Sequence, residues 1–406
     1  MINFTQESTA VSKKNSHSDV LWMAFLLGLL AAFAPLTIDM YLPALPKLGA
    51  DLNAGASLAQ FSLTACLLGI ALGQLVAGPI SDVRGRKGPL LAGLLIYVVA
   101  SLSCAFAPTI WLLVVMRFIQ GLAGSAGIVI SRAIVRDLYS GFQMTRFFAL
   151  LMLVNGVAPI LAPVLGGQVL QVTSWRGIFL VLSVVGIFTL LAVSFGLPET
   201  LRAGQRSKGG INNTFRAFRR LIGNRIFMGY ALVQGFALAA MFAYIAGSPF
   251  VLQNIFGVSP QIFSLLFGIN SLGIIIAGQI TGRLAGRIPE AQLLVAGLTI
   301  AFVGGVLLLA MILAGGGLYS ILVPLFFAVS SVGIIGTSSF SLAMQDQAKD
   351  AGSASALIGV LSFVFGGLMA PLVGIGGSHT AVPMGIIIAF SETMAALCYL
   401  FLVKCK

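Results

Sequence analysis

The chain has 406 residues, 58% of them hydrophobic and 8% charged, with a mean hydropathy of +1.04. Soluble globular domains carry roughly 25% charged residues, so this composition excludes a soluble domain and points to a polytopic membrane protein. The net charge of +12 would suit a nucleic-acid partner, but the cations follow the apolar runs as membrane topology dictates, and no nucleic acid is needed to explain them.

Residues 1–19 form a polar segment with Lys13 and Lys14. The apolar run after them is too long for a signal-peptide core and has no small-residue cleavage site, so it reads as a retained first span. A run of about 20 apolar residues crosses the hydrocarbon core as a helix. Glycine, proline and charge divide the hydrophobicity into twelve such runs, near 20–45, 57–79, 88–107, 109–134, 145–170, 175–197, 226–253, 261–282, 291–313, 318–344, 352–375 and 381–403. The basic segment 199–225 separates six spans (20–198) from six (226–403), and 404–406 is a short tail. Of the 23 lysines and arginines, all but Lys47, Arg176 and the intramembrane Arg117 fall on the side of the N-terminus. That asymmetry places both termini in the cytoplasm.

Of the four cysteines, Cys66, Cys104 and Cys398 lie in apolar runs, and Cys405 stands near the end. With no CxxC pair they read as small buried hydrophobes. His17 and His379 stand alone, and there is no G-x-x-x-x-G-K-[ST] loop. No metal, no cofactor and no enzymatic chemistry are implied.

The two halves repeat weakly. "GQLVAGPISDVRGR" (73–86) resembles "GQITGRLAGR" (278–287). Pro43 matches Pro249, and "APVLGG" (162–167) matches "APLVGIGG" (370–377), all at offsets of 205–208. Two similar six-helix halves place a substrate site between them, near the midplane. The expected fold is therefore an all-α membrane protein of twelve transmembrane helices in two pseudo-symmetric six-helix bundles.

Five motifs carry a family resemblance. Residues 73–87 read G-x-x-x-x-G-P-x-x-D-x-x-G-R-K, span four contains Arg117, Gln120 and Gly121 as R-x-x-Q-G, span five contains "NGVAPILAPVLGG", and "PLTIDMYLPALP" and "GLPETL" mark spans one and six. The chain resembles the major facilitator superfamily, and within it the drug–proton antiporters of the Bcr/CflA (bicyclomycin and chloramphenicol resistance) group. The resemblance covers nearly the whole chain. It implies that Gly78, Asp82, Gly85 and Arg86 form a conformational latch between the halves on the cytoplasmic side. It also implies that Pro159, Pro163, Gly166 and Gly167 pack span five, where Ala162 replaces the first glycine of the G-P-x-x-G-G pattern.

Three ionisable residues lie well inside spans: Asp39, Arg117 and Glu392. Such groups are costly in a bilayer and are functional by default. Asp39 can be neutral or charged, as a proton carrier requires. Arg117 stays charged and needs an acceptor; Asp39 is the candidate, because spans one and four both line the cavity in this superfamily. Gln120, Gly121 and Gly124 share the Arg117 face. Arg132, roughly 22 Å further along the helix, is expected at the inner mouth or among headgroups. Glu392 has no assigned role.

The positions matching Asp39 and Arg117 in the second half are Ile245 and Val323. That half offers Gln234, Met241, Phe242, Tyr244 and Asn270 to a cavity, with Tyr41, Gln120 and Asn155 from the first. Aromatic and methionine side chains with a few polar groups suit a tolerant drug pocket. The expected function is proton-coupled efflux of small amphipathic drugs across the bacterial inner membrane by a monomer, its partners being the drug, protons and the lipid bilayer. The alternative is a same-fold exporter or symporter of a small metabolite such as an amino acid or sugar.

Overall fold

The computed structural model describes residues 17–201, 204, 206, 211–347 and 351–404. Lys13, Lys14, Arg202, Lys208, Lys349, Cys405 and Lys406 lie outside the described residues. Twelve helices are long and apolar enough to cross a membrane: Val20–Asp51, Ala56–Arg84, Lys87–Ala105, Ile110–Leu138, Arg146–Val172, Trp175–Gly196, Arg225–Ile255, Pro260–Leu284, Glu290–Leu313, Leu318–Met344, Gly352–Gly376 and Val382–Lys404. They are called spans one to twelve below. Among the described residues there is no strand. A helix at Ile211–Ile222 lies within the basic segment. Its polarity hid it from a search for apolar runs.

An even number of spans puts both ends of the chain on one face, here called the terminal face, and the turn after Asp39 on the far face. The two six-helix bundles use the same contacts. Spans two and four pair, as do eight and ten; three and six pair, as do nine and twelve; one packs on five as seven packs on eleven. Between the bundles the main contacts are span two with eleven and span five with eight. In lipid there is little hydrophobic drive between helices, so close packing of small residues carries the association. A Cβ on Gly121 would collide with the Cys66 carbonyl of span two, and one on Gly333 with the Ile274 carbonyl of span eight. These two glycines hold the matching pairs together in the two halves.

Span one is interrupted. Its α-helix ends at Asp39 and resumes as a short 3-10 turn, Leu42–Ala44, and a helix, Leu45–Asp51. Pro43 lacks the N–H that would bond the Asp39 carbonyl, so the ladder breaks there. Pro249 acts likewise on span seven, where the helix widens to π geometry at Val251–Ile255. Outward-facing surfaces carry exposed Leu, Ile, Val and Phe, for example on span three at Leu95 and Val99, as a lipid-facing surface does.

Candidate functional site

Arg117 is fully buried, at 0% exposure. Its Nη2 donates to the Thr37 carbonyl of span one at 3.0 Å, and its Nη1 to Gln120 Oε1 at 2.6 Å. Gln120 Nε2 in turn donates to Ser101 Oγ at 2.7 Å. The guanidinium lies over the Tyr41 ring, 4.3 Å from its centroid, with Phe179 at 5.6 Å. The Thr37 hydroxyl shares a 2.8 Å hydrogen bond with Tyr97, and the Tyr41 hydroxyl one of 3.3 Å with Ser62. The expected Arg117–Asp39 ion pair is not formed. A main-chain carbonyl, an amide and an aromatic face take its place, and Arg117 Nε remains unpartnered.

Asp39 points elsewhere. It lines a cavity of about 300 Å³ between the bundles, together with Pro35, Asn155, Pro159, Met241, Phe242 and Tyr244. Among the lining residues Asp39 alone has a carboxyl, and there is no lysine, arginine or histidine. Its Oδ1 is buried and has no hydrogen-bond partner. Asn155, Met241, Phe242 and Tyr244 thus meet Asp39 at one cavity. Tyr41 and Gln120 do not reach its lining, because both are turned onto Arg117. Asn270 lies behind the wall, where its Nδ2 donates to the Tyr244 hydroxyl at 3.0 Å. Gln234 accepts from Ser339 Oγ at 3.3 Å, away from the cavity. A larger apolar groove, about 600 Å³, lies on the outer surface of spans nine and ten and holds no charged residue. It has no group with which to bind a proton.

The loop after span two folds into an ionic cluster. Gly85 adopts φ +97°, a left-handed conformation that favours glycine, and turns the chain so that Arg86 points inward. Arg86 is 5% exposed. Its Nε donates to Asp137 Oδ2 and its Nη1 to Ser81 Oγ, each at 2.8 Å, and Nη1 also pairs with Asp82. The Arg86 and Lys87 backbone N–H groups donate to the Glu199 carboxylate at 2.8 and 3.2 Å, an acid at a helix N-terminus. Burial pushes the Glu199 carboxyl up, but these N–H groups, that of Leu201 and the Arg206 charge outweigh it and hold the group below its ordinary value. Gly78 approaches Val129 of span four. All these partners belong to the first bundle or to the segment after it; none is in the second bundle. Arg132 is exposed on span four.

Sequence reading named Asp82 and Arg86 but overlooked Asp137 as a partner. Its signal was present, since Asp137 is the one acid on span four. In the second half, Glu290 at the start of span nine accepts from Ser341 and Gln345 at the end of span ten. Neutral donors stand there in place of the arginine.

The span-five residues meet both bundles. A Cβ on Gly166 would overlap the Met40 carbonyl of span one, and Ala162 is fully buried. Ser264 Oγ of span eight donates to the Pro163 carbonyl at 2.8 Å, and Gln261 Nε2 to the Gly167 carbonyl at 3.2 Å. Three more hydrogen bonds join the bundles: Ser57 Oγ to the Pro371 carbonyl, Gln60 Nε2 to the Ala246 carbonyl, and Gln253 Nε2 to the Pro43 carbonyl, at 3.0, 3.0 and 3.1 Å. All five lie toward the far face, which is closed.

The chain's relatives match this architecture. It is 45% identical over 386 residues to a Bacillus subtilis protein named "Uncharacterized MFS-type transporter YdgK", covering 95% of this chain and 96% of that one. It is 29% identical to the bicyclomycin resistance protein homolog of Haemophilus influenzae, over 96% and 98% of the two chains. A multidrug resistance protein MdtL of Escherichia fergusonii is 31% identical over 55% of this chain and 56% of its own. Among solved structures, a D-xylose–proton symporter superposes with a TM-score of 0.74 at 14% identity over 95% and 97% of the chains. The xylose transporter XylE of Escherichia coli, in a partially occluded inward-open conformation, superposes at 0.72 with 13% identity over 96% and 98%. The profile of the Major Facilitator Superfamily matches residues 27–371. With twelve spans in two matching bundles around a central cavity, this multi-pass membrane chain belongs to the Major Facilitator Superfamily.

Proposed function

We propose that this transporter exchanges protons, moving inward, for small amphipathic drugs of the bicyclomycin or chloramphenicol type, moving outward. It works as a monomer in the bacterial inner membrane, with both termini cytoplasmic and the bundles 20–198 and 226–403 joined by the basic segment 199–225. The observation that carries this reading is Asp39, a lone carboxylate with an unpartnered oxygen in the wall of a cavity otherwise lined by uncharged residues. Protonation there changes the only charge that a drug meets, and a ligand that favours one charge state shifts the balance between access states. Relatives named for bicyclomycin and multidrug resistance support the drug class. Arg117, locked to Thr37 and Gln120 beside the end of the span-one helix, holds the Asp39 segment in place. The cluster at Gly78, Asp82, Gly85 and Arg86 acts as the latch of the cytoplasmic side. Its bonds within the first bundle suit a state in which the far face is shut.

The test is a resistance profile in a drug-hypersensitive host, paired with drug-induced proton release from the purified protein. The unmodified chain protects against several unrelated antibiotics. Asp39→Asn folds, but abolishes protection and lowers proton release. Protection against none would favour a metabolite substrate, and wild-type behaviour of Asp39→Asn would place the carrier elsewhere.

A further inference from the structure

Glu392 is the other acid deep inside a span, and it does not line the cavity. It is 1% exposed, and its Oε2 has no hydrogen-bond partner. Its Cγ sits over Gly305 of span nine, 3.5 Å from where a Cβ would stand. Span twelve packs on spans seven and nine and on the turn Pro371–Gly376. The charged groups of these elements are Arg225, Glu290 and Lys404, all at the terminal ends of their spans. Lys404 is twelve residues along the helix, roughly 18 Å away. The other titratable groups are Tyr230 and Tyr244 of span seven and Cys398 and Tyr399 of span twelve itself. Among the described residues no cation pairs with Glu392.

The internal repeat gives this acid a context. The offset of 206 residues that relates Pro43 to Pro249 relates Glu392 to Gly186 of span six. Spans three and six pair as nine and twelve do. At Gly186 span three fills the space, with Val98 Cγ2 2.8 Å and Tyr97 Cδ1 3.2 Å from the Cβ position. Tyr97 bonds Thr37, and Thr37 bonds Arg117. So in the first half a polar side chain crosses this helix pair over a glycine and joins the buried polar set. In the second half the crossing comes from the opposite helix, over Gly305, and the side chain is an acid with no such set to join.

We infer that Glu392 is a second proton-binding group, carried by the second bundle and separate from the drug cavity. The inference rests on the exporter reading. An ionised carboxylate buried without a cation is strongly disfavoured, so the far-face-closed state holds the neutral acid. The proton arrives from hydronium, which leaves as water, when the seam between spans nine and twelve is hydrated on one side. The O–H bond breaks, returning the proton to water, after the bundles move.

Two measurements on the purified full-length chain test this. The first is the infrared C=O stretch of protonated carboxyl groups at neutral pH. Glu392→Gln, which copies the shape of the neutral acid, should remove a band that Asp39→Asn leaves in place, and Glu392→Asp should restore it. The second is the number of protons released per chain when chloramphenicol is added in weak buffer. Glu392→Gln should lose about half of them, and Asp39→Asn the other share. An infrared band that persists in Glu392→Gln, or proton release equal to that of the unmodified chain, overturns the inference while the exporter reading stands. No drug-induced release from the unmodified chain overturns both.

Discussion

The two faces of the molecule are built from different interactions. At the terminal face an arginine is gripped by two aspartates, with a glutamate capping the next helix. At the far face five uncharged side chains donate to five backbone carbonyls across the bundle interface. The ionic cluster sits within one bundle and shapes its end; the neutral seam joins two bundles and, under the proposed function, opens. The difference matches the energetics. Breaking a buried ion pair leaves an uncompensated charge, whereas a neutral hydrogen bond contributes about 1 kcal/mol net and can be exchanged for water. A surface that parts in each cycle is better made of the second kind.

The sharpest way to break this contrast is Arg86→Ala. It strands Asp137 within the cluster and should lower stability by about 3 kcal/mol, read as a drop in thermal midpoint of the purified protein. A drop no larger than that for exposed Arg84→Ala would mean that the cluster is only surface charge. Gly167→Val comes next. Its side chain would meet Ser264 Oγ of span eight, 2.8 Å from the Cβ position and across the bundle interface, so it should destabilise the far-face-closed state by about 2 kcal/mol. Labelling of a reporter cysteine at Ser57 should rise, while labelling near Arg132 falls. Unchanged labelling at both positions would show that span five has room to spare.

Gln60→Leu removes one donor from the seam. An effect of about 1 kcal/mol shifts a two-state ratio roughly fivefold, visible as far-face labelling without loss of folding. A large loss of folded protein would show that the seam holds the fold and not only the gate. The smallest effect is one of pH. The Glu199 carboxyl lies below its ordinary value in the folded state, so its contribution is present above the unfolded value and fades as pH falls through the folded one. Between about pH 5 and 3, the thermal midpoint of the unmodified chain should fall more than that of Glu199→Gln. Parallel curves would remove Glu199 from the terminal-face network.

The twelve spans were legible because hydrophobic length and loop charge write membrane topology directly into sequence. Asp39 itself was legible, since a single acid in an apolar run stands out, but its place in the cavity wall came from the structure. The partner of Arg117 was not. A backbone carbonyl has no letter of its own, and Asp39 was the nearest acceptor that sequence could name. For the same reason the far-face seam was invisible: its donors are ordinary glutamines and serines, and its acceptors belong to the main chain. Tyr41 and Gln120 were drawn toward the cavity by their polarity, when burial against Arg117 had already claimed them. The helix Ile211–Ile222 was passed over as a charged linker because its three arginines and its Asn-Asn-Thr run interrupt its apolar positions.

Since every acceptor in the far-face seam is a peptide carbonyl, no codon change can delete one. Only the donor of each contact is a mutational target. Three of the five acceptors are carbonyls of proline residues, whose ring fixes φ and stiffens the backbone that carries the oxygen. Under selection with a new drug, the cavity wall can therefore vary widely while the register between the bundles is preserved. Laboratory evolution should collect substitutions at Met241 or Phe242 well before it collects any at the prolines.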